Sequence, residues 1–221
     1  MRQNPYDNPN SLGFKFRLKR FEHVRSIIEF ILSKNDTCKI LDIGGSEFYW
    51  KIAQDLVDSG RLSIDLLNLN ATEVKNKHFG SIVGDARKIA DIDDCSYDLC
   101  HSNSVIEHVG DWLDMKAMAD EVRRVAPNYF VQVPYFWFPI EPHFRVPFFH
   151  WLPEQLRYPL LMRRDLGFHL MQKDAGDAVV EIQSAKLLDR RQLTSLFPDG
   201  EIVPEKIAFM TKSLMAIRQE N

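Results

Sequence analysis

The sequence predicts an α/β domain, a seven-stranded, mostly parallel sheet with helices on both faces and an antiparallel last strand. Three observations carry this. Short β-type runs alternate with segments of helical period from Cys38 to Val133, the pattern of strands joined by helical crossovers. A glycine pair, Gly44 and Gly45, stands where the first such run gives way to a helix. Near the end, two strand-like runs follow each other with too little chain between them for a helical crossover, so they pair antiparallel.

Each element has its own justification. Phe14, Leu18, Phe21, Val24, Ile28, Ile31 and Leu32 recur at helical spacing, which predicts an amphipathic helix over 14–33. "CKILDIG" from Cys38 reads as a buried strand, and "EFYWKIAQDLVDSG" as a helix that stops at Gly60. "RLSIDLLNLN", "HFGSIVGDA" and "SYDLCHSNS" supply the second, third and fourth strands. "DWLDMKAMADEVRRVA" carries acids early and arginines late, as the helix dipole favours, and Pro127 closes it before the fifth strand, "NYFVQVP". "DRRQLTSLFP" is a short helix, and "EIVPEKIAFM" with "KSLMAIRQ" forms the terminal pair.

Composition narrows the function. With 221 residues, 45% of them hydrophobic and 27% charged, the chain supports one core, read as a single domain over 1–221 with an N-terminal helical extension over 1–37. A formal charge of −3 and an isoelectric point near 6.2 give no basic field of the kind nucleic-acid binders carry, so a small-molecule partner is expected. Cys38, Cys95 and Cys100 are odd in number and form no CxxC pair, which fits a reducing compartment. The polar start "MRQNPYDNPNSLG" resembles no signal peptide, and no apolar run reaches the ~20 residues of a membrane span. The chain therefore reads as cytoplasmic.

The glycine pair lies where an open α/β sheet binds its ligand. A residue without Cβ permits the tight turn and a close approach. A dinucleotide fingerprint needs small residues at its first, third and sixth positions, and here these are Gly44, Ser46 and Tyr49. The tyrosine crowds that packing, so a ligand without phosphates is the better match. A plain turn is the bland alternative.

Three stretches, in order, resemble motifs of the class I S-adenosylmethionine-dependent methyltransferases, in particular the small bacterial type-11-like group with its Rossmann-like sheet. "ILDIGGSEF" is similar to their first motif, matching Asp42 and Gly44, with Ser46 and Phe48 where further glycines are usual. "VGDARKI" is similar to the stretch after the third strand, and "SYDLCHSNSVIEHVGD" to the fourth-strand motif. The resemblance covers 38–133, and it extends to the last two strands. It implies S-adenosyl-L-methionine as cofactor, held by Asp42, Gly44, Gly45, Ser46, Asn68, Asp85, Ala86, Ser102 and Asn103. Asp42 would organise the loop and meet the ammonium end, Asn68 would replace the usual ribose carboxylate, and Asp85 would read the adenine amino group. As an alternative, Asp85 is a helix N-cap for "ARKIA". Asp65 and Asp98 read as structural.

"SVIEHVGD" is also similar to the E-x-x-E-H metal motif of some quinone and small-RNA methyltransferases. Ser104 replaces its first glutamate, leaving Glu107 and His108, and a metal would need Glu141 or His143 as well. No metal site is assigned on this basis.

Between Pro134 and Pro159 lie six of the eleven prolines and nine aromatic residues, so 134–176 reads as an insertion capping the acceptor site. Its acid–histidine pair, Glu141 and His143, and the nearby His108 are the candidate catalytic residues. The alternative is that these aromatics pack on a helix or form a homodimer interface. Lys15, Arg17, Lys19, Arg20 and Arg25 make the first helix basic, consistent with a lid, an anionic acceptor, peripheral membrane contact or, most simply, a solvated face. The expected activity is methyl transfer to a small apolar or planar acceptor by in-line displacement. A catalytically idle member of the fold and a nucleotide-cofactor oxidoreductase are the competing readings.

Overall fold

A computed structural model describes residues 11–220. The first ten residues of the N-terminal extension, and with them most of the polar start, lie outside the described residues. Seven strands, β1 (Cys38–Ile43), β2 (Leu62–Asn68), β3 (Phe79–Val83), β4 (Leu99–Asn103), β5 (Asn128–Pro134), β6 (Glu201–Ile207) and β7 (Met210–Arg218), form one sheet in the order β3-β2-β1-β4-β5-β7-β6. β1 to β5 are parallel, and β7 runs antiparallel to both its neighbours. The predicted fold class is what the chain adopts.

Strand residues alternate between two cores, as the two-residue period of a pleated strand requires. Leu41, Ile43, Val131 and Val133 face α4 (Trp112–Val125) and α7 (Arg190–Leu196) through Met118, Val122 and Leu193. Cys38, Ile40, Ile64 and Phe130 face α1 (Leu12–Lys34) through Phe21, Val24 and Ile28. Asp111 caps α4 reciprocally with Asp114, which explains why that helix starts there.

Two elements differ from expectation. The single helix after β1 is broken into α2 (Glu47–Trp50), a 3₁₀ turn Lys51–Ala53 and α3 (Gln54–Asp58). Tyr49 and Trp50 are buried against Phe21, and turning both bulky rings inward is incompatible with one continuous helical stripe. The basic face of α1 is not simply solvated. Arg20 is only 6% exposed and faces Glu205 at 3.5 Å, while Arg25 makes a two-pronged pair with Asp55.

The segment after β5 builds a small core of its own from Phe144, Phe149, Leu161, Leu166, Ala178 and Ile182. Its helices α5 (Glu154–Leu161) and α6 (Ala175–Gln183) pack together. After this core the chain rejoins the sheet region where Lys186 N donates to Glu107 O and Leu188 bridges to Tyr135. Trp137 and Phe148 each lie in tilted contact with Trp151 at its surface, and all three remain exposed. Among the described residues, no helix is long and apolar enough to cross a membrane.

Candidate active site

The carboxyl ends of β1 to β5 carry a trough of three neighbouring cavities that share lining residues. The first, about 460 Å³, lies over β1 to β3 and is lined by Gly44, Asn68, Asp85, Ala86, Val105 and His108 among others. A narrower one of about 180 Å³ shares Ile43 and Gly44 with it and continues along Asp42, Gly45, Ser46, Phe48, Tyr49, His101, Asn103 and Arg17. The third, about 510 Å³, shares Arg17 and Asn103 with the second and runs under the cap, between Gln132, Phe138, Ile140, Arg20, Arg145 and Lys212.

The glycine turn is fixed by the protein's own atoms. Gly44 has φ +70°, and a Cβ there would stand 2.4 Å from Val105 Cγ2. A Cβ on Gly45 would fall 1.8 Å from Asp42 Oδ2. Asp42, 1% exposed, sits beneath the turn and is held by Trp50 Nε1 at 2.8 Å and His101 Nδ1 at 2.6 Å. His101 Nε2 in turn meets the Tyr49 hydroxyl at 3.2 Å. A third glycine is absent because Tyr49 and Trp50 use that space to close this buried network. Both of these Asp42 bonds point into the protein.

His101 was absent from the expected site residues. Its signal was register: pairing β1 with β4 sets His101 directly beside Asp42. Ser102, assigned to the cofactor, is fully buried and lines none of these cavities, because alternation along β4 turns it into the sheet. Its neighbour Asn103 reaches two of them, and Asn103 Oδ1 is buried without a hydrogen-bond partner among the described residues.

Asn68 donates to Gly45 O at 3.1 Å and Thr72 Oγ1 at 3.2 Å, leaving its amide oxygen as the acceptor facing the first cavity. Asp85 caps a turn rather than a helix, accepting from Arg87 N at 2.9 Å. The Arg87 guanidinium bridges Asp85 at 2.6 Å and Asp114 at 3.0 Å, tying the cavity wall to the start of α4. These hydrogen bonds from Arg87 hold the Asp85 carboxyl below its ordinary pKa, so it is an ionised acceptor. Asp65 instead accepts from the Tyr97 hydroxyl, and Asp98 from Lys39 N, so both are structural.

The candidate catalytic residues come together beside the first cavity. Glu141 bonds His143 Nδ1 closely and also accepts from His143 N at 2.9 Å and Phe144 N at 2.6 Å. The His143 ring lies 4.8 Å from that of His108. His108 lines the first cavity, Glu141 lines a separate cavity on the far side of the cap, and His143 lines none of these. Burial lowers the His108 pKa and pushes Glu107 up to about 7. Burial also opposes a charge on His143, but the Glu141 bond and charge outweigh it and raise the His143 pKa. The motif's first position, Ser104, donates to Gln132 Oε1 at 2.8 Å and is turned away from Glu107.

No protein-family model matches the chain, and no curated protein matches it. Solved structures do. A protein of Pyrococcus horikoshii is similar over 99% of this chain and 96% of its own, at 14% identity and a TM-score of 0.52. Magnesium protoporphyrin IX methyltransferase from Synechocystis, solved with S-adenosylhomocysteine bound, is similar over 96% of this chain and 97% of its own, at 11% identity and a TM-score of 0.50. An O-methyltransferase candidate from Nostoc punctiforme matches 92% of this chain at 13% identity and a TM-score of 0.50, and the chain spans 56% of that longer protein. The fold is that of the class I methyltransferases. At these identities the likeness speaks for the fold.

Proposed function

We propose that the chain is an S-adenosylmethionine-dependent methyltransferase acting on a small acceptor with an apolar or planar body and an anionic end. The observation that carries this is the trough: an adenosine-sized cavity with an ionised acceptor, a strait at the glycine turn, and a cavity under the cap. The Synechocystis structure holds S-adenosylhomocysteine on the same fold, which supports the choice of cofactor.

The side chains fit the group. Asp85 offers an ionised oxygen to an adenine amino group, and Asn68 its amide oxygen to a ribose hydroxyl. In the strait, the orphaned Asn103 Oδ1 suits an ammonium and Arg17 a carboxylate. When bound, the cofactor supplies a methyl on a positively charged sulfur, already a strong electrophile. The chain's task is therefore alignment in a dry pocket. Around the third cavity, Arg20 pairs with Glu205 and Lys212 lies 3.7 Å from the same carboxylate, while Arg145 lines it as a third cation. That surplus of positive charge favours a carboxylate-bearing acceptor over a neutral one. Phe138 and Ile140 would wall its apolar part.

Calorimetry with S-adenosylhomocysteine and with NAD tests the reading. Micromolar binding of S-adenosylhomocysteine alone is expected. Binding of NAD instead would favour an oxidoreductase, and binding of neither would leave an idle member of the fold.

A further inference from the structure

The cap and the sheet meet at a cluster whose chemistry the methyl-transfer reading does not use. Glu107 is 1% exposed, and neither of its carboxylate oxygens has a hydrogen-bond partner among the described residues. Leaving a buried carboxylate bare is costly, and native structures rarely tolerate it without a hidden partner. One ligand atom each from Glu107, His108 and His143 lies within 4.8 Å of the others.

The two imidazoles are oriented as metal ligands are. His108 Nδ1 lies 2.7 Å from the Ser184 carbonyl oxygen, which can only accept, so Nδ1 carries the proton and Nε2 keeps its lone pair. His143 Nδ1 is held by Glu141, itself 3% exposed and fixed by two backbone amides, which again leaves Nε2. A backbone carbonyl behind one ring and a carboxylate behind the other are the outer partners that position ligating histidines. Charge also balances: a divalent ion would neutralise the buried carboxylates Glu107 and Glu141 together, with His108 on the exposed side of the cluster.

We propose that Glu107, His108 and His143 form a two-histidine, one-carboxylate site for a divalent transition ion of the zinc type, and that this ion clamps the cap to the sheet. Two nitrogens and one oxygen favour zinc or cobalt over magnesium, which demands oxygens. The clamp follows from chain position. Glu107 and His108 belong to the 3₁₀ turn Ile106–His108 after β4, whereas His143 belongs to the cap. Gripping both fixes the wall between the first cavity and the cap, whatever the chain's reaction is.

The test uses the full chain, stripped with chelator and titrated in a calorimeter with zinc, cobalt or magnesium chloride. One zinc or cobalt ion per chain is expected, with magnesium weaker by roughly 100-fold or more, and the cobalt form should show the visible absorption of a low-coordinate ion. Glu107→Gln and His143→Asn should each lower zinc affinity by roughly 100-fold, and Glu141→Gln, one bond removed, by about 10- to 100-fold. Glu107→Gln removes a buried charge at constant shape, so its metal-free melting temperature should equal or exceed that of the wild type, which separates lost binding from lost folding. Zinc should slow amide exchange across 141–152 in the wild type alone. The site is refuted if the wild type takes up no zinc, or if Glu107→Gln binds it equally well. Unchanged exchange with zinc bound would refute the clamp.

Discussion

The two ends of the trough are held by different means. Beneath the glycine turn the buried polar network is closed from within the protein: Asp42 by Trp50 and His101, His101 by Tyr49, Asn68 by Gly45 and Thr72. Toward the cap, by contrast, Glu107 and Asn103 Oδ1 are buried with no hydrogen-bond partner among the described residues, and the described lining of the third cavity carries cations and no acid. A region that satisfies itself presents a rigid, preformed surface. One that leaves buried groups unanswered is shaped for something the chain does not supply. The turn end is thus scaffold first and binding surface second, and the cap end the reverse.

The largest test strikes the scaffold. Gly45→Ala drives its Cβ into the Asp42 carboxylate and should break the network beneath, costing about 3–5 kcal/mol of stability in denaturant unfolding, the scale of a buried ion pair losing a partner. A variant of unchanged stability would show that the turn yields easily, and the contrast with the cap would collapse. Asp85→Ala probes the one ionised acceptor on the turn side. It should weaken S-adenosylhomocysteine by about 1–3 kcal/mol with little change in melting, because Arg87 keeps Asp114. Lost stability with full affinity would make Asp85 a turn residue only.

At the cap end, Arg145→Gln should weaken benzoate, a planar carboxylate probe, by about 10-fold while sparing S-adenosylhomocysteine and benzamide. Equal effects on benzoate and benzamide would remove the argument for an anionic acceptor. The smallest effect is a pH dependence. Burial lowers the His150 pKa, with Arg157 adding to this and Glu141 opposing it, and the Nε2 proton is donated to Phe136 O at 2.8 Å. A histidine with a folded pKa below its unfolded value of 6.5 contributes stability that is present above that value and lost as pH falls through it. Proteolysis of the cap should therefore quicken below about pH 6.5, and His150→Gln should flatten the profile. An identical profile in the variant would exonerate His150.

The sequence by itself determined the sheet, its strand order along the chain, the antiparallel last strand and the position of the glycine turn, because these follow from local period and from crossover length. It also marked Glu141 and His143 as a pair, being two residues apart, and Asp65 and Asp98 as structural. Only the tertiary structure decided why both glycines are needed, since the reasons are Val105 and the Asp42 carboxylate, contacts that composition cannot show. It alone turned Ser102 inward, set His101 against Asp42 across 59 residues, and buried Arg20 in a cavity wall that periodicity had read as open water. Above all it carried His143 from the cap to Glu107 and His108. Local patterns record what each segment is built to bury, whereas the meeting of a cap loop with the turn after β4 depends on packing between segments, which no single window of sequence contains.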